Sequence, residues 1–243
     1  MAEHGLVGVG VGMVADGEIV WREGFGYADL ANETPFTPRT SLPIGSVTKP
    51  LTVLGVMQLH ERGLIDIDQP LSCYLPEFSI RSRGVDLNRV TVRSVVAHTS
   101  GLPHDIFLNA SEEGERYTDT LNYLTRETLG YKPGLVYHYS NVGYCLLGHM
   151  IREVSGQDYP VYLQNHLLRP AGLTNSGFVG YDTLQDEGLG YAADGSVVER
   201  LPRRNIPAGG MDSTIDDMLA LAQEFLAAYH GTMDGVLSPR TMR

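Results

Sequence analysis

A serine and a lysine three residues apart are the pair in this 243-residue chain best placed for chemistry. In Ser46-Val47-Thr48-Lys49, positions i and i+3 fall on one face of a helix, so hydroxyl and amine lie side by side. A serine hydroxyl is a weak nucleophile until a neighbouring base takes its proton. Lysine can be that base if its amine gives up its charge; arginine cannot. Of the 18 basic residues only Lys49 and Lys132 are lysine. The chain uses arginine wherever a plain positive charge will do, so a lysine at position 49 points to a titratable amine. The tetrad is short, and a serine cap followed one turn later by a solvated lysine fits the same letters.

Tyr139-Ser140-Asn141 is a second candidate. Tyrosine can relay a proton, and asparagine can donate to a substrate carbonyl or orient a lysine. The bland reading is a surface turn with a packed tyrosine. Other polar residues favour structural readings. Asp66 and Asp68 lie in Leu64-Ile65-Asp66-Ile67-Asp68-Gln69-Pro70, which reads as a structured turn rather than a metal site. His98 and Ser100 invite a Ser–His couple, but their surroundings read as the end of a helix. Arg203-Arg204 reads as a solvated pair. Cys73 and Cys145 lack metal or redox spacing and read as two buried free thiols. The Asn32-Glu33-Thr34 and Asn109-Ala110-Ser111 sequons read as chance.

These groups need elements to hold them. Val7, Val9, Val11 and Met13 alternate with Gly8, Gly10 and Gly12, a period of two that predicts a strand over 6–14. Its glycine face lets another segment approach closely, and both faces look buried. Asp16-Gly17 is a hairpin signal, and a second strand is expected over 18–26. From 46 the apolar period becomes helical and runs to a stop at Gly63; Pro50 is tolerated only in a first turn, so the helix begins near Gly45 or Ser46. A helix start presents free N–H groups and the positive end of a dipole to the nucleophile. Further helices are expected over 91–97 with Thr91 as cap, 142–155, 158–168, and 214–229 with Ser213 or Thr214 as cap.

Composition is that of an ordinary globular chain, 42% hydrophobic and 19% charged. A net charge of -11 disfavours nucleic acid and anionic membrane surfaces as partners. No apolar run reaches the roughly 18 residues of a membrane span. Met1-Ala2-Glu3-His4 lacks a basic, then apolar, leader pattern. The chain as given is therefore expected in the cytoplasm; a trimmed leader would leave no trace.

Read together, the elements become specific. Gly45-Ser46-Val47-Thr48-Lys49, His98-Thr99-Ser100-Gly101-Leu102-Pro103, Pro133-Gly134, Tyr139-Ser140-Asn141-Val142-Gly143-Tyr144 and Pro207-Ala208-Gly209-Gly210-Met211-Asp212-Ser213-Thr214 follow in order. This order and spacing resemble the class C β-lactamase family, which also takes in penicillin-binding D-alanyl-D-alanine carboxypeptidases, D-aminopeptidases and many esterases. The resemblance covers nearly the whole chain, to Leu237-Ser238-Pro239. It implies an α+β fold, an antiparallel sheet flanked by helices with an adjoining mainly helical domain and the active site in the groove between them. It also implies a covalent acyl-enzyme on Ser46, activated by Lys49, with Tyr139 relaying a proton to the leaving group and Asn141 touching the substrate amide. The substrate would be an ester, a β-lactam or a D-amino-acid peptide, with no metal or cofactor.

One part of the family pattern has no match. A third motif, Lys or His followed by a small residue and Gly on a late strand, has no credible copy; Lys132-Pro133-Gly134 lies only seven residues before Tyr139, in a loop. The expectation is one incomplete catalytic domain over 1–243, with sheet strands in 1–45, a mainly helical region in 46–243 and closing strands absent. Such a chain is expected to be weakly active or inactive and prone to self-association through an unpaired sheet edge. The alternative is a non-catalytic relative that keeps the pocket.

Overall fold

The computed structural model describes residues 5–106, 116–200, 204–231 and 236–242. Its elements are β1 (Gly8–Ala15), β2 (Glu18–Asp29), β3 (Thr34–Pro35), β4 (Leu42–Pro43), α1 (Thr48–Glu61), α2 (Val92–Val96), α3 (Thr120–Leu124), α4 (Asn141–Ser155), α5 (Tyr159–Leu163), β5 (Gly177–Phe178), β6 (Gly190–Tyr191), β7 (Val197–Val198), α6 (Ile206–Gly209), β8 (Met211–Ser213), α7 (Ile215–His230) and α8 (Pro239–Met242). They fall into two compact units. Met1–Ile44, Gln164–Leu201 and Met211–Arg243 form a sheet unit; Gly45–Leu163 and Pro202–Gly210 form a helical unit.

In the sheet unit, β1 and β2 form the expected hairpin. Asp16 and Gly17 both have left-handed φ, 52° and 82°, as a two-residue turn between twisted strands requires. The antiparallel register sets Val9 opposite Phe25 and Met13 opposite Trp21, and it slips between Met13 and Val14 in a bulge. The glycine stripe seats a helix: a Cβ on Gly10 would lie 2.6 Å from Ile215, and one on Gly12 would lie 2.7 Å from Leu219, both on α7.

The expectation that both strand faces are buried is corrected by the opposite face. Val11 is 37%, Met13 52%, Trp21 40% and Phe25 36% exposed. α7 approaches only the side where absent side chains leave room. β1 is the edge of the order β1-β2-β3 among the described residues.

In a second small sheet β8 lies between β4 and β5. It leads into α7, whose cap is Thr214: its side chain accepts from the Asp217 N–H. The Asp217 carboxylate in turn accepts from Ser176 Oγ at 2.7 Å and the Asn175 N–H at 2.8 Å.

The helical unit is built on α1 and α4. α1 buries Leu51, Leu54, Val56 and Leu59, and also Thr48, Lys49 and Thr52, so it is a core helix covered on most sides. α4 begins at its Ser140 cap, where Ser140 Oγ accepts from the Gly143 N–H, and stops at Gly156 with φ 70°. Thr91 caps α2 as expected, accepting from the Ser94 N–H. The helix expected over 158–168 divides into α5 and a π-type turn, Gln164–Leu168.

Two structural readings change, and a third, the Asp66 and Asp68 turn, is found as expected. Cys145 is buried but Cys73 is exposed, because the 3-10 turn Leu71–Cys73 points Leu71 inward and leaves Cys73 outside; both are free thiols. Arg204 is half-buried rather than solvated, its guanidinium 5.4 Å from the Tyr123 ring centroid. The Asp66 and Asp68 turn is tied internally: Asp66 Oδ1 accepts from the Asp68 N–H, and both Asp68 oxygens accept from Arg93 at 2.6 and 2.8 Å. The readings placed on Met1-Ala2-Glu3-His4, Asn109-Ala110-Ser111 and Arg203 lie outside the described residues.

Candidate active site

Ser46 sits in a 3-10 turn, Gly45–Val47, that runs directly into α1. Gly45 takes φ 53°, a left-handed conformation that glycine adopts without penalty. Thr48 Oγ1 donates to the Gly45 carbonyl at 2.7 Å and braces the turn. The serine is left exposed at its tip.

Lys49, one turn on, is only 4% exposed. Its Nζ donates to Ser46 Oγ at 3.2 Å and to the Ala208 carbonyl at 2.5 Å. It also lies 4.6 Å from the Tyr139 ring centroid and 5.5 Å from that of Tyr144. Such contacts satisfy the polar valences of a buried amine. The carbonyl comes from α6, where Pro207 opens the turn and Gly210 follows; a Cβ on Gly210 would lie 2.6 Å from Ile206 Cα. Thr52 Oγ1 donates to the Pro207 carbonyl at 2.7 Å and pairs with Tyr159 Oη at 2.8 Å, so α1, α5 and α6 are pinned one residue from the lysine's acceptor.

Tyr139 closes the group from the other side. Its Oη donates to Ser46 Oγ at 2.8 Å. The ring stands just ahead of the Ser140 cap, and Ser140 Oγ donates to the Pro103 carbonyl at 2.6 Å. The His98 ring stacks on Tyr139 with centroids 4.5 Å apart and lies 4.9 Å from Tyr144. Burial, and then the charge of Lys49, depress the His98 imidazole to about 4. Burial pushes the Tyr144 phenol up to about 12, helped by Tyr139 and Tyr137.

Ser46, Lys49 and Tyr139 are thus drawn to one point, all within the helical unit. Asn141 is the first residue of α4, its N–H bound to the His104 carbonyl and its Nδ2 donating to Asp105 Oδ2 at 3.1 Å. It is one helix residue past the cap and is tied to Asp105, not to the serine. Lys132-Pro133-Gly134 lies in no strand; the Gly134 N–H donates to the Thr99 carbonyl. The Ala208 carbonyl, Asp105 and Tyr144 were not singled out from residue types. The Pro207-Ala208-Gly209-Gly210 run was the only trace of the first.

The beta-lactamase family model matches residues 1–242. The chain belongs to the beta-lactamase family, a family of hydrolases, and carries its β-lactamase/transpeptidase-like fold. It is 34% identical over 199 residues to PbpX of Bacillus subtilis (strain 168), named as a penicillin-binding protein; the match covers 81% of this chain and 48% of that one. Among solved structures it resembles an octameric penicillin-binding protein homologue from Pyrococcus abyssi, with TM-score 0.84 and 27% identity over all of this chain and 56% of the other. It also resembles D-alanine carboxypeptidase AmpC from Burkholderia cenocepacia, with TM-score 0.80 and 27% identity over all of this chain and 64% of that one. The chain spans about half the length of the curated relatives it matches. No helix among the described residues is long and apolar enough to cross a membrane.

Proposed function

We propose that this chain carries the acyl-transfer centre of a serine hydrolase, with Ser46 as nucleophile, Lys49 as its base and Tyr139 as the proton relay. The observation that carries the reading is the double approach to one oxygen: Lys49 Nζ at 3.2 Å and Tyr139 Oη at 2.8 Å from Ser46 Oγ. Uncharged, Lys49 can donate one N–H to Ala208 and accept the Ser46 proton on its lone pair. Ser46 Oγ then bonds to the substrate carbonyl carbon, and the carbonyl π electrons move to its oxygen. When the tetrahedral adduct collapses, the bond from the carbonyl carbon to the departing oxygen or nitrogen breaks, Tyr139 passes that atom a proton and takes one back from Lys49, and an acyl ester remains on Ser46. Water hydrolyses that ester by the reverse relay. Asn141 would touch the substrate amide with the polar valences that Asp105 leaves it. No step calls for a metal or cofactor.

The substrate class is an ester, a β-lactam or a D-amino-acid peptide. The names of the relatives, a penicillin-binding protein and a D-alanine carboxypeptidase, favour the latter two. The test is intact-mass analysis after a fluorophosphonate or fluorescent penicillin. One adduct on Ser46, lost in Ser46→Ala, is expected. Label on Ser100 or Ser140 would refute the assignment, and absence of any adduct would favour a relative that binds without turnover.

A further inference from the structure

We infer that His98 is the positioning residue for Tyr139, an uncharged imidazole that fixes the residues on both sides of the phenol and so holds its oxygen against Ser46. This rests on Ser46 and Tyr139 forming the reaction centre proposed above. His98 leaves α2 with φ 57°, in the left-handed region. Non-glycine residues seldom sit there, and histidine is among the few that are enriched. From that position it makes three contacts with three successive residues. Its carbonyl accepts from the His138 N–H at 2.7 Å. Its ring stacks on Tyr139 at 26° between planes. Its Nδ1 accepts from the Ser140 N–H at 3.0 Å. The residue is 8% exposed, with Tyr144 of α4 against its ring and Tyr137 edge-on at 5.6 Å.

These contacts define the tautomer. A nitrogen that accepts an N–H holds a lone pair, so the single ring proton is on Nε2. An imidazolium has no acceptor and would set one N–H against another. The charged and titratable groups facing it act the same way: Lys49 from α1, and His104 and His138 from the flanking loops, all oppose a second positive charge. A Ser–His couple is not available here. The Nδ1 lone pair is taken by Ser140, Ser140 Oγ is committed to Pro103, and Ser100 Oγ accepts from the Leu102 N–H. The reason for a histidine is the combination of a flat face for Tyr139 and an acceptor at its rim.

Two variants separate these features in the full 243-residue chain. His98→Phe keeps the face and removes the acceptor. His98→Asn offers an oxygen near the Nδ1 position and does not titrate. With p-nitrophenyl acetate, His98→Phe should lower kcat by roughly 10–100-fold with little change in KM, the scale of a small misplacement of a reacting group. His98→Asn should recover much of that loss. It should also lack the part of the acid fall in kcat that protonation of His98 is expected to add in the parent as pH approaches about 4, leaving the part due to the Lys49 base. Parent-like kcat in His98→Phe, or a His98→Asn no better than His98→Phe, would overturn the inference.

A readout independent of turnover is nitrogen NMR of the imidazole at pH 6. The neutral Nε2–H form is expected; an imidazolium or an Nδ1–H tautomer would refute the role. The Tyr139–Ser46 NOE should survive in the parent and vanish in His98→Phe; its persistence there would likewise count against the role. If the parent shows no Ser46-dependent turnover, the hydrolase reading fails, while the tautomer and the NOE still decide on His98. If His98→Phe does not fold, His98→Asn and the tautomer decide.

Discussion

At the residue scale, the proposed chemistry turns on the lysine. Lys49→Arg keeps a positive charge near Ser46 Oγ but cannot offer a lone pair, because guanidinium does not deprotonate in proteins. Acylation by an activated ester should fall by about 10²–10⁴, the range of general-base effects. A stopped-flow measurement giving the parent rate would reduce Lys49 to an electrostatic partner. The proximity of Ser46, Lys49 and Tyr139 could be anticipated from a lysine among arginines, a serine one turn before it and a Tyr-Ser-Asn triplet in family order. The Ala208 carbonyl could not, since every residue has one and nothing in its type marks it. Asp105 was hidden for another reason: its bond to Asn141 spans 36 positions and follows no local period. His98 was read as part of a helix-end turn, and the structure places it there, just past α2. A helix-end turn describes its backbone and leaves its ring unexplained.

At the scale of elements, the caps and turns followed from local chemistry. Thr91 and Thr214, both expected as caps, place an oxygen against a free N–H of the first helical turn, and Ser140, not expected as one, does the same for α4. Packing distances did not follow so easily, and Gly148 of α4 shows why. A Cβ there would lie 2.3 Å from Pro207 Cγ and 2.7 Å from Pro207 Cβ. A ring bonded to its own backbone cannot swing aside. Gly148→Ala should therefore cost about 1–3 kcal/mol of overpacking. Calorimetry should read this as a fall of roughly 2–10 °C in Tm for a chain this size. Because Pro207 precedes the carbonyl that holds Lys49, acylation should fall beyond what the folded fraction explains. A Gly148→Ala chain with parent Tm and parent acylation would contradict the packing.

At the scale of the whole molecule, acid and exposed surface set the limits. His98 is depressed from 6.5 to about 4 in the folded chain, chiefly by burial. The unfolded chain therefore takes up this proton at higher pH than the folded one. Stability tied to the neutral ring is complete above about 6.5, is lost as pH falls towards 4, and is gone below that. Burial depresses His149 too, which adds in the same direction. Urea melts at pH 7 and pH 4.5 should show a smaller difference for His98→Asn than for the parent; equal differences would mean that His98 is not the group responsible. The open face of β1 and β2 is the other liability. Met13, Trp21 and Phe25 form an apolar strip beside β1, which has no second strand partner among the described residues. Light scattering of residues 1–243 should show association, reduced in a Met13→Glu, Trp21→Lys chain. Unchanged scattering would place the sticking surface elsewhere. The alternation of valine and glycine announced the strand but not which side would be covered, because that depends on α7, more than 200 positions further along.

Lys49 and the carbonyl that holds it are 159 positions apart. A ribosome adding about 5–20 residues per second needs on the order of 10–30 s to cover that distance. Throughout that interval the nascent chain already carries its serine, its lysine and then its tyrosine, but not the turn that fixes the amine. The reactive centre is thus manufactured in an unfinished state. The arrangement proposed for Ser46 and Lys49 can close only once the Ala208 turn has been made and has folded.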